Sequence, residues 1–292
     1  MRVFVTGGSG FLGSQLIQNL ESHEVLVLSR HPPKKEVGAN CKWLQGEIAC
    51  PGEWEADLVQ FDPHVCVHLA WEGLPSYTKK TSKRNVELSR LLIQTLKKTE
   101  TKRLVVAGSC WEYGDLVGQL DEASTLAPES YFAKAKIETH HEFEKYSDSA
   151  GVSLVWARIF FSYGSGQRRS SLLPLVFDAL KREEVPEIRS PEVFQDFIHT
   201  SDIASALSSL IAANRIEGVF NIGSGTITSV SEFVNIVAAS CGSSFRLELP
   251  KSLYGFWASI EKIKLSTGWI PKVSLEQGIL KTLKEMEVSH LV

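Results

Sequence analysis

Apolar residues along this chain fall into short runs, many of them β-branched, separated by longer stretches in which apolar side chains recur every three or four positions. The runs at residues 2–5, 24–30, 42–45, 65–71, 103–109, 153–159 and 219–222 predict buried strands. The periodic stretches predict helices. One opens with Leu12, Leu16, Ile17 and Leu20, a short one covers 54–61, a strong one at 83–98 carries Val86, Leu88, Leu91, Leu92 and Leu96, and another spans about 130–148. Such alternation predicts an α/β fold built on a doubly wound parallel sheet. Past residue 160 the alternation loosens. Gly164, Gly166, Pro174, Pro186 and Pro191 interrupt shorter elements, read as helices near 170–183, 201–213 and 229–240 and a short strand at 194–199. The expected organisation is a domain of residues 1–160, which also receives about 194–223, interleaved with a smaller lobe formed by 161–292. No internal repeat, low-complexity tract or linker interrupts it.

The first strand runs straight into Thr6-Gly-Gly-Ser-Gly-Phe-Leu-Gly13 and then a helix. Three glycines three apart have a mechanical reading. Gly7 takes a turn conformation closed to residues with a Cβ, Gly10 lets the backbone approach a pyrophosphate, and Gly13 lets the helix lie close on the sheet. The phosphate then sits on free N–H groups at the helix N-terminus, so a bound dinucleotide is expected. No Gly-Lys-Ser/Thr follows, which excludes a Walker loop. The end of the second strand bears on the choice of cofactor. An NAD site places a carboxylate there for the ribose hydroxyls, whereas this chain offers Ser29 and Arg30, then Lys34 and Lys35, with no acid before Glu36. That pattern predicts NADP. Ligands in doubly wound sheets lie beyond the carboxyl ends of the strands, which gathers the loops at Gly7, Ala70, Ser109 and Phe160 around one crevice.

A chain of 292 residues can bury a full core, and a net charge of −3 recommends neither nucleic acid nor an anionic membrane as partner. A core strand from residue 2 leaves no room for a cleavable signal, and no apolar run approaches the length of a membrane span, so a cytoplasmic protein is expected. The five cysteines are odd in number, scattered and without a Cys-x-x-Cys pair, and read as reduced thiols. His64 and His68 have the spacing of helical metal ligands but flank a strand, on which they do not converge. No metal site is expected.

With these residues in view, the chain resembles the extended short-chain dehydrogenase/reductases that act on nucleotide sugars, and the likeness runs along nearly its whole length. The glycine loop is similar to that family's cofactor loop. Gly46-Glu-Ile48 stands where an acid and a hydrophobe contact the adenine, His68-Leu-Ala70 resembles the fourth-strand motif, and Asn85 opens the next helix as in that family. Gly108-Ser-Cys-Trp-Glu-Tyr-Gly114 resembles the catalytic-serine segment, and Arg158-Ile-Phe-Phe-Ser-Tyr-Gly164 the turn into the sugar-nucleotide lobe. Gln195-Asp-Phe197 through Asp202, Asn221-Ile-Gly223 and Gly268-Trp-Ile-Pro271 resemble later landmarks. The resemblance implies a Rossmann-type sheet with a smaller C-terminal nucleotide-sugar lobe, a homodimer associating through the helices at 83–98 and 130–148, and a nucleotide-sugar substrate. It implies cofactor contacts from Gly7, Gly10, Phe11, Leu12, Gly13, Glu47, Ile48, Leu69, Ala70 and Lys136, beside Ser29 and Arg30. Substrate contacts are implied at Trp71, Ser109, Glu112 and Phe161.

The implied chemistry is hydride transfer between a nicotinamide and a sugar carbon, with Ser, Tyr and Lys acting on the oxygen. An oxygen whose carbon gains hydride needs a proton, and a phenol beside an ammonium delivers one. Ser109 and Lys136 match that set. The tyrosine position, aligned on Pro128-Glu-Ser130 and Ala135-Lys136, is Phe132, and Tyr131 stands about 100° around the helix from it. Three readings follow: a tyrosine replaced by design to trap substrate, a natural variant using Tyr131 or another donor, or a protein that binds without catalysing. A 4,6-dehydratase of the family carries Asp-Glu after the serine or threonine; here Cys110 and Trp111 stand there, and dehydration is not expected. The wording of this segment, with His68-Leu-Ala-Trp-Glu-Gly-Leu-Pro75, is more similar to reductases of nucleoside-diphosphate-linked 4-keto-6-deoxy sugars. The alternatives are a nucleotide-sugar epimerase and, from another class, a non-catalytic nucleotide-binding or scaffold protein.

Overall fold

The structure is a computed structural model that describes residues 1–32, 40–213 and 215–289. In chain order the first part comprises β1 (Arg2–Thr6), α1 (Phe11–Gln18), β2 (Glu24–Ser29), β3 (Cys41–Gln45), α2 (Glu55–Phe61), β4 (Val65–His68), α3 (Lys79–Leu96), β5 (Arg103–Ser109), β6 (Gly118–Leu120), α4 (Tyr131–Ala150) and β7 (Ser153–Ile159). There follow β8 (Phe161–Tyr163), α5 (Leu172–Lys181), β9 (Phe194–Gln195), β10 (Phe197–His199), α6 (Thr200–Ala212), β11 (Gly218–Ile222), β12 (Thr228–Ser229), α7 (Val230–Ser240), β13 (Gly255–Ala258), α8 (Glu261–Thr267) and α9 (Leu275–Ser289).

The seven predicted strands form one parallel sheet in the order β3-β2-β1-β4-β5-β7-β11. The strand order reverses between β1 and β4, which places the crevice beyond those two ends. Helices cover both faces, and β1, β5 and β7 are therefore buried almost end to end and read as continuous apolar runs. On one face Val5, Val27, Val67 and Val105 pack under α1 and α6; on the other, Phe4, Val106 and Trp156 pack under Trp54, Leu92 and Phe143. A third cluster, with Phe177, Phe197, Phe233 and Ile279, is the core of the smaller lobe. Thr78 and Ser130 cap α3 and α4 by accepting from Thr81 N and Ala133 N.

Two expectations are corrected. The fourth strand ends at His68, so residues 69–71 leave the ladder and turn into the crevice. The stretch 194–199 is two strands in two sheets: β9 pairs with β12 and β13, while β10 pairs with β8. Asp196 makes the break, because its buried carboxylate accepts from Ser224 N, Gly225 N and Ala258 N and holds the chain between the sheets. On α3 and α4, Val86, Leu88, Leu92 and Leu96 are buried within this chain, as are Phe132 and Phe143. The outward positions include Lys83, Arg84, Glu87, Lys134, Glu138 and Lys145. No helix among the described residues is long and apolar enough to cross a membrane.

Three buried histidines tie the layers together. His68 meets Thr6 Oγ1 at 2.7 Å, His140 stacks on Trp156 with ring centroids 4.6 Å apart, and His199 meets Ser201 Oγ at 2.7 Å. Burial pushes His68 down to about 3, and His140 and His199 down to about 4, from an ordinary value of 6.5. Below that ordinary value the unfolded chain takes up protons that the folded chain refuses, so stability falls with pH from about 6.5 toward 4. Each histidine contributes up to about 1.4 kcal/mol per pH unit in that window. The melting temperature should decline steadily from pH 6.5 to 5; a flat profile there overturns this account.

Candidate active site

The loop between β1 and α1 is shaped by contacts that only glycine permits. Gly7 has φ +77°, and a Cβ on it would lie 2.6 Å from Ala70 N, across the gap between β1 and the chain leaving β4. A Cβ on Gly13 would lie 2.2 Å from the Gly7 carbonyl oxygen, so the first turn of α1 rests directly on the loop. At Gly10 a Cβ would meet only the Gly7 carbonyl oxygen, at 3.1 Å. Helix α1 starts at Gly10 with no side-chain cap and no acid in its first turn, leaving its N–H groups to the crevice. These features fit a dinucleotide pyrophosphate.

The loop opens on a cavity of about 660 Å³. Phe11 and Leu12 line it beside the glycines, with Leu69, Ala70 and Trp71 opposite, and Glu47 and Ile48 toward β2. Ser29 and Arg30 also line it. The Ser29 hydroxyl is engaged locally, 2.7 Å from Ser9 Oγ and accepting from His31 N at 3.2 Å, and so ties the loop to β2. Arg30 Nη1 reaches Glu72 Oε1 at 3.7 Å. Lys34 and Lys35, the rest of the basic run, lie outside the described residues. Phe161 lines the far wall, where it packs on Phe197 and Phe256.

Ser109 ends β5 on the cavity wall and caps the 3₁₀ turn Cys110–Tyr113, its hydroxyl accepting from Trp111 N at 3.3 Å. Glu112 completes that cap from beneath, accepting from Ser109 N at 2.7 Å. The sequence offered Glu112 as a sugar contact, and this is corrected. Its side chain is fully buried under the floor and does not line the cavity: it accepts from Arg158 Nε at 2.8 Å and from Trp156 Nε1 at 3.0 Å. The ammonium of Lys136 lies above the floor, donating to the Ala107 carbonyl at 2.7 Å and standing 3.8 Å from the centre of the Trp71 ring. Burial holds Lys136 well below the usual lysine range, and the Glu112 carboxylate pulls it partly back up.

Phe132 is one turn before Lys136 on α4, its ring centroid 5.8 Å from the ammonium. It is enclosed by three other rings, Trp71 at 5.5 Å, Tyr77 at 5.3 Å and Trp111 at 5.7 Å. Tyr131 points away: it is 53% exposed and outside the cavity wall. The structure thus brings Ser109, Phe132, Lys136 and Trp71 together and leaves Glu112 and Tyr131 out. Tyr77 and Arg168 are among the lining residues that were missed. Tyr77 lies in a polar loop without periodicity, and Arg168 follows Gly164 and Gly166, which take φ +149° and +84° in the turn after β8. A cation in a glycine-rich loop after a strand was the available signal for Arg168.

A model of the NAD dependent epimerase/dehydratase family matches residues 3–223. The dTDP-4-dehydro-6-deoxyglucose reductase of Escherichia coli is 22% identical, over 97% of this chain and 97% of its own. The UDP-glucose 4-epimerase of Thermotoga maritima, solved with UDP-glucose, has a TM-score of 0.88 at 23% identity and covers 99% of this chain and 100% of its own. A tyrosine-to-phenylalanine mutant of Bacillus cereus UDP-glucuronic acid 4-epimerase, in complex with UDP-4-deoxy-4-fluoro-glucuronic acid and NAD, has a TM-score of 0.87 at 20% identity. It covers 99% of this chain and 100% of its own.

The burial of Glu112 has a measurable consequence. Glu112→Gln leaves the Arg158 guanidinium, 3% exposed, without its counter-ion. Breaking such a pair from one side costs about 3–5 kcal/mol, so urea denaturation should show a loss of that order. Unchanged stability together with weakened binding of a sugar nucleotide would restore the sugar-contact role.

Proposed function

The chain belongs to the NAD dependent epimerase/dehydratase family, and on that premise we propose that it is an NADPH-dependent reductase of a nucleoside-diphosphate-linked 4-keto-6-deoxy sugar. The observation that carries this reading is the convergence of the glycine loop, Ser109 and Lys136 on one cavity whose other catalytic positions hold no acid for elimination. Cys110 is buried, with burial pushing its thiol far up, and Trp111 is an indole. The relative from Escherichia coli supports the choice of a reductase. The two epimerase structures support the second reading, epimerisation with a nicotinamide that is never released.

When bound, the cofactor supplies hydride to the keto carbon. The residues of this chain do the rest. The N-terminus of α1 and Gly10 hold the pyrophosphate, Glu47, Ile48 and Ala70 frame the adenosine end, and Arg30 exchanges Glu72 for a 2′-phosphate. Lys136 holds the nicotinamide ribose and brings a positive charge to the reacting oxygen, which Ser109 hydrogen-bonds. Trp71 and Phe161 flank the sugar, and Arg168 offers a cation to the substrate diphosphate. A homodimer belongs to the same reading, and light scattering that returned a monomer mass at micromolar protein would remove it.

Two measurements test the proposal. Reduction consumes NADPH in step with the keto sugar, whereas epimerisation interconverts two sugars with no net oxidation. No turnover with retained binding points to a binding protein. For the cofactor, a charge-assisted hydrogen bond to the 2′-phosphate contributes about 1.5–3 kcal/mol, so calorimetry should find NADPH at least about tenfold tighter than NADH. Arg30→Ala should erase the difference, and Glu72→Gln, which frees Arg30, should widen it. Equal affinities in the parent protein overturn the NADP assignment.

A further inference from the structure

The cavity is lined by Ser109, Lys136 and, at the position where the resemblance implies a tyrosine, Phe132. Of the six tyrosines in the chain, Tyr146 and Tyr163 are buried in the two cores, and Tyr131 and Tyr254 are each 53% exposed. Tyr113 is buried beneath the floor, its hydroxyl 2.8 Å from Asn221 Oδ1 and accepting from Arg158 Nη1 at 3.1 Å. Tyr77 is the tyrosine that lines the cavity. Its ring meets Phe132 edge to face at 5.3 Å and Trp111 at 5.1 Å, in the same group of rings over which the Lys136 ammonium stands. The Tyr77 hydroxyl has no hydrogen-bond partner among the described residues.

The loop that carries Tyr77 is held at both ends. The Asn85 side chain accepts from Glu72 N at 2.7 Å and donates to the Glu72 carbonyl at 3.0 Å, and Thr78, the next residue after Tyr77, caps α3. A tyrosine one residue outside a capped helix is placed by that helix, as a side chain on α4 would be. We propose that Tyr77 is the proton donor of this enzyme, a catalytic residue that delivers from the β4–α3 loop the hydroxyl that position 132 does not carry. The assignment rests on the reductase reading. In the step, the keto carbon gains a hydride, with its electron pair, from a reduced nicotinamide dinucleotide, which leaves oxidised. The carbonyl π pair moves to the oxygen, and the oxygen takes the Tyr77 phenolic proton to give the alcohol. The phenolate, stabilised by the Lys136 ammonium, recovers its proton from solvent.

The test uses the full chain and three variants, Tyr77→Phe, Phe132→Tyr and the double variant. General acid catalysis is worth about 10²–10⁴-fold, so Tyr77→Phe should lower turnover of a 4-keto-6-deoxy nucleotide sugar by that factor, and adding Phe132→Tyr should recover most of it. Binding gives a second readout that needs no turnover. Calorimetry of the cofactor-free protein with a sugar nucleotide bearing a 4-hydroxyl and with its 4-deoxy analogue should show Tyr77→Phe weakening the first by about 3- to 10-fold, the size of one hydrogen bond, and leaving the second unchanged. Turnover of Tyr77→Phe within about threefold of the parent, or equal losses for both ligands, overturns the assignment. If the parent protein reduces no keto sugar, the reductase reading falls. The 4-hydroxyl preference then still decides whether Tyr77 touches that oxygen: a preference lost in Tyr77→Phe supports the contact, and no preference in the parent rejects it.

Discussion

The pair of Glu112 and Arg158 is the interaction on which the site depends. Two charges taken out of water are tolerated only when each finds further partners, and both do. The carboxylate takes the Ser109 N–H and the Trp156 indole as well as the guanidinium, and the guanidinium reaches the Tyr113 hydroxyl. The end of β5, the turn after it and β7 are thereby locked to one another. A Cβ on Gly108 would stand 2.7 Å from Glu112 Oε1 and 2.3 Å from Trp156 Nε1, so even the residue before Ser109 is set by this network. The same carboxylate lies close enough to Lys136 to support its ammonium in a buried setting. One ion pair under the floor therefore places the serine and helps to charge the lysine.

Much of the fold was readable because of how a doubly wound sheet is built. Strands covered on both faces must be apolar throughout, and β1, β5 and β7 announced themselves for that reason. The glycine loop was readable because its spacing follows from steric contacts with Ala70 and with the Gly7 carbonyl, which no other residue satisfies. The small strands β6, β8, β12 and β13 were not readable. They span two to four residues and exist by pairing with segments far away in the chain, as β6 does with β13. A run such as 194–199 looks like one strand, since nothing local tells that Asp196 will be gripped by N–H groups from 224, 225 and 258.

The candidate site residues divide along the same line. Ser109, Lys136 and the dinucleotide loop have fixed neighbours in sequence and were found from them. Glu112 looked like a loop acid because its counter-ion is 46 residues away. Tyr77 carried no signal, being a polar-loop residue whose significance arises only when α4 brings Phe132 against it. The aromatic wall that the two share with Trp71 and Trp111 is assembled from two loops and a helix.

The return of β11 to the edge of the large sheet has a consequence for how the molecule comes into being. Its partner β7 ends at Ile159, and the chain builds β8, α5, β9, β10 and α6 before Gly218–Ile222 closes the sheet. Asn221 then supplies the Oδ1 that meets Tyr113. During synthesis the dinucleotide-binding half emerges first but stays open at one edge, its floor lacking one polar partner, until residue 222 has left the ribosome. The smaller lobe is thus threaded through the assembly of the sheet, and neither part is a cassette that can be exchanged by a single cut.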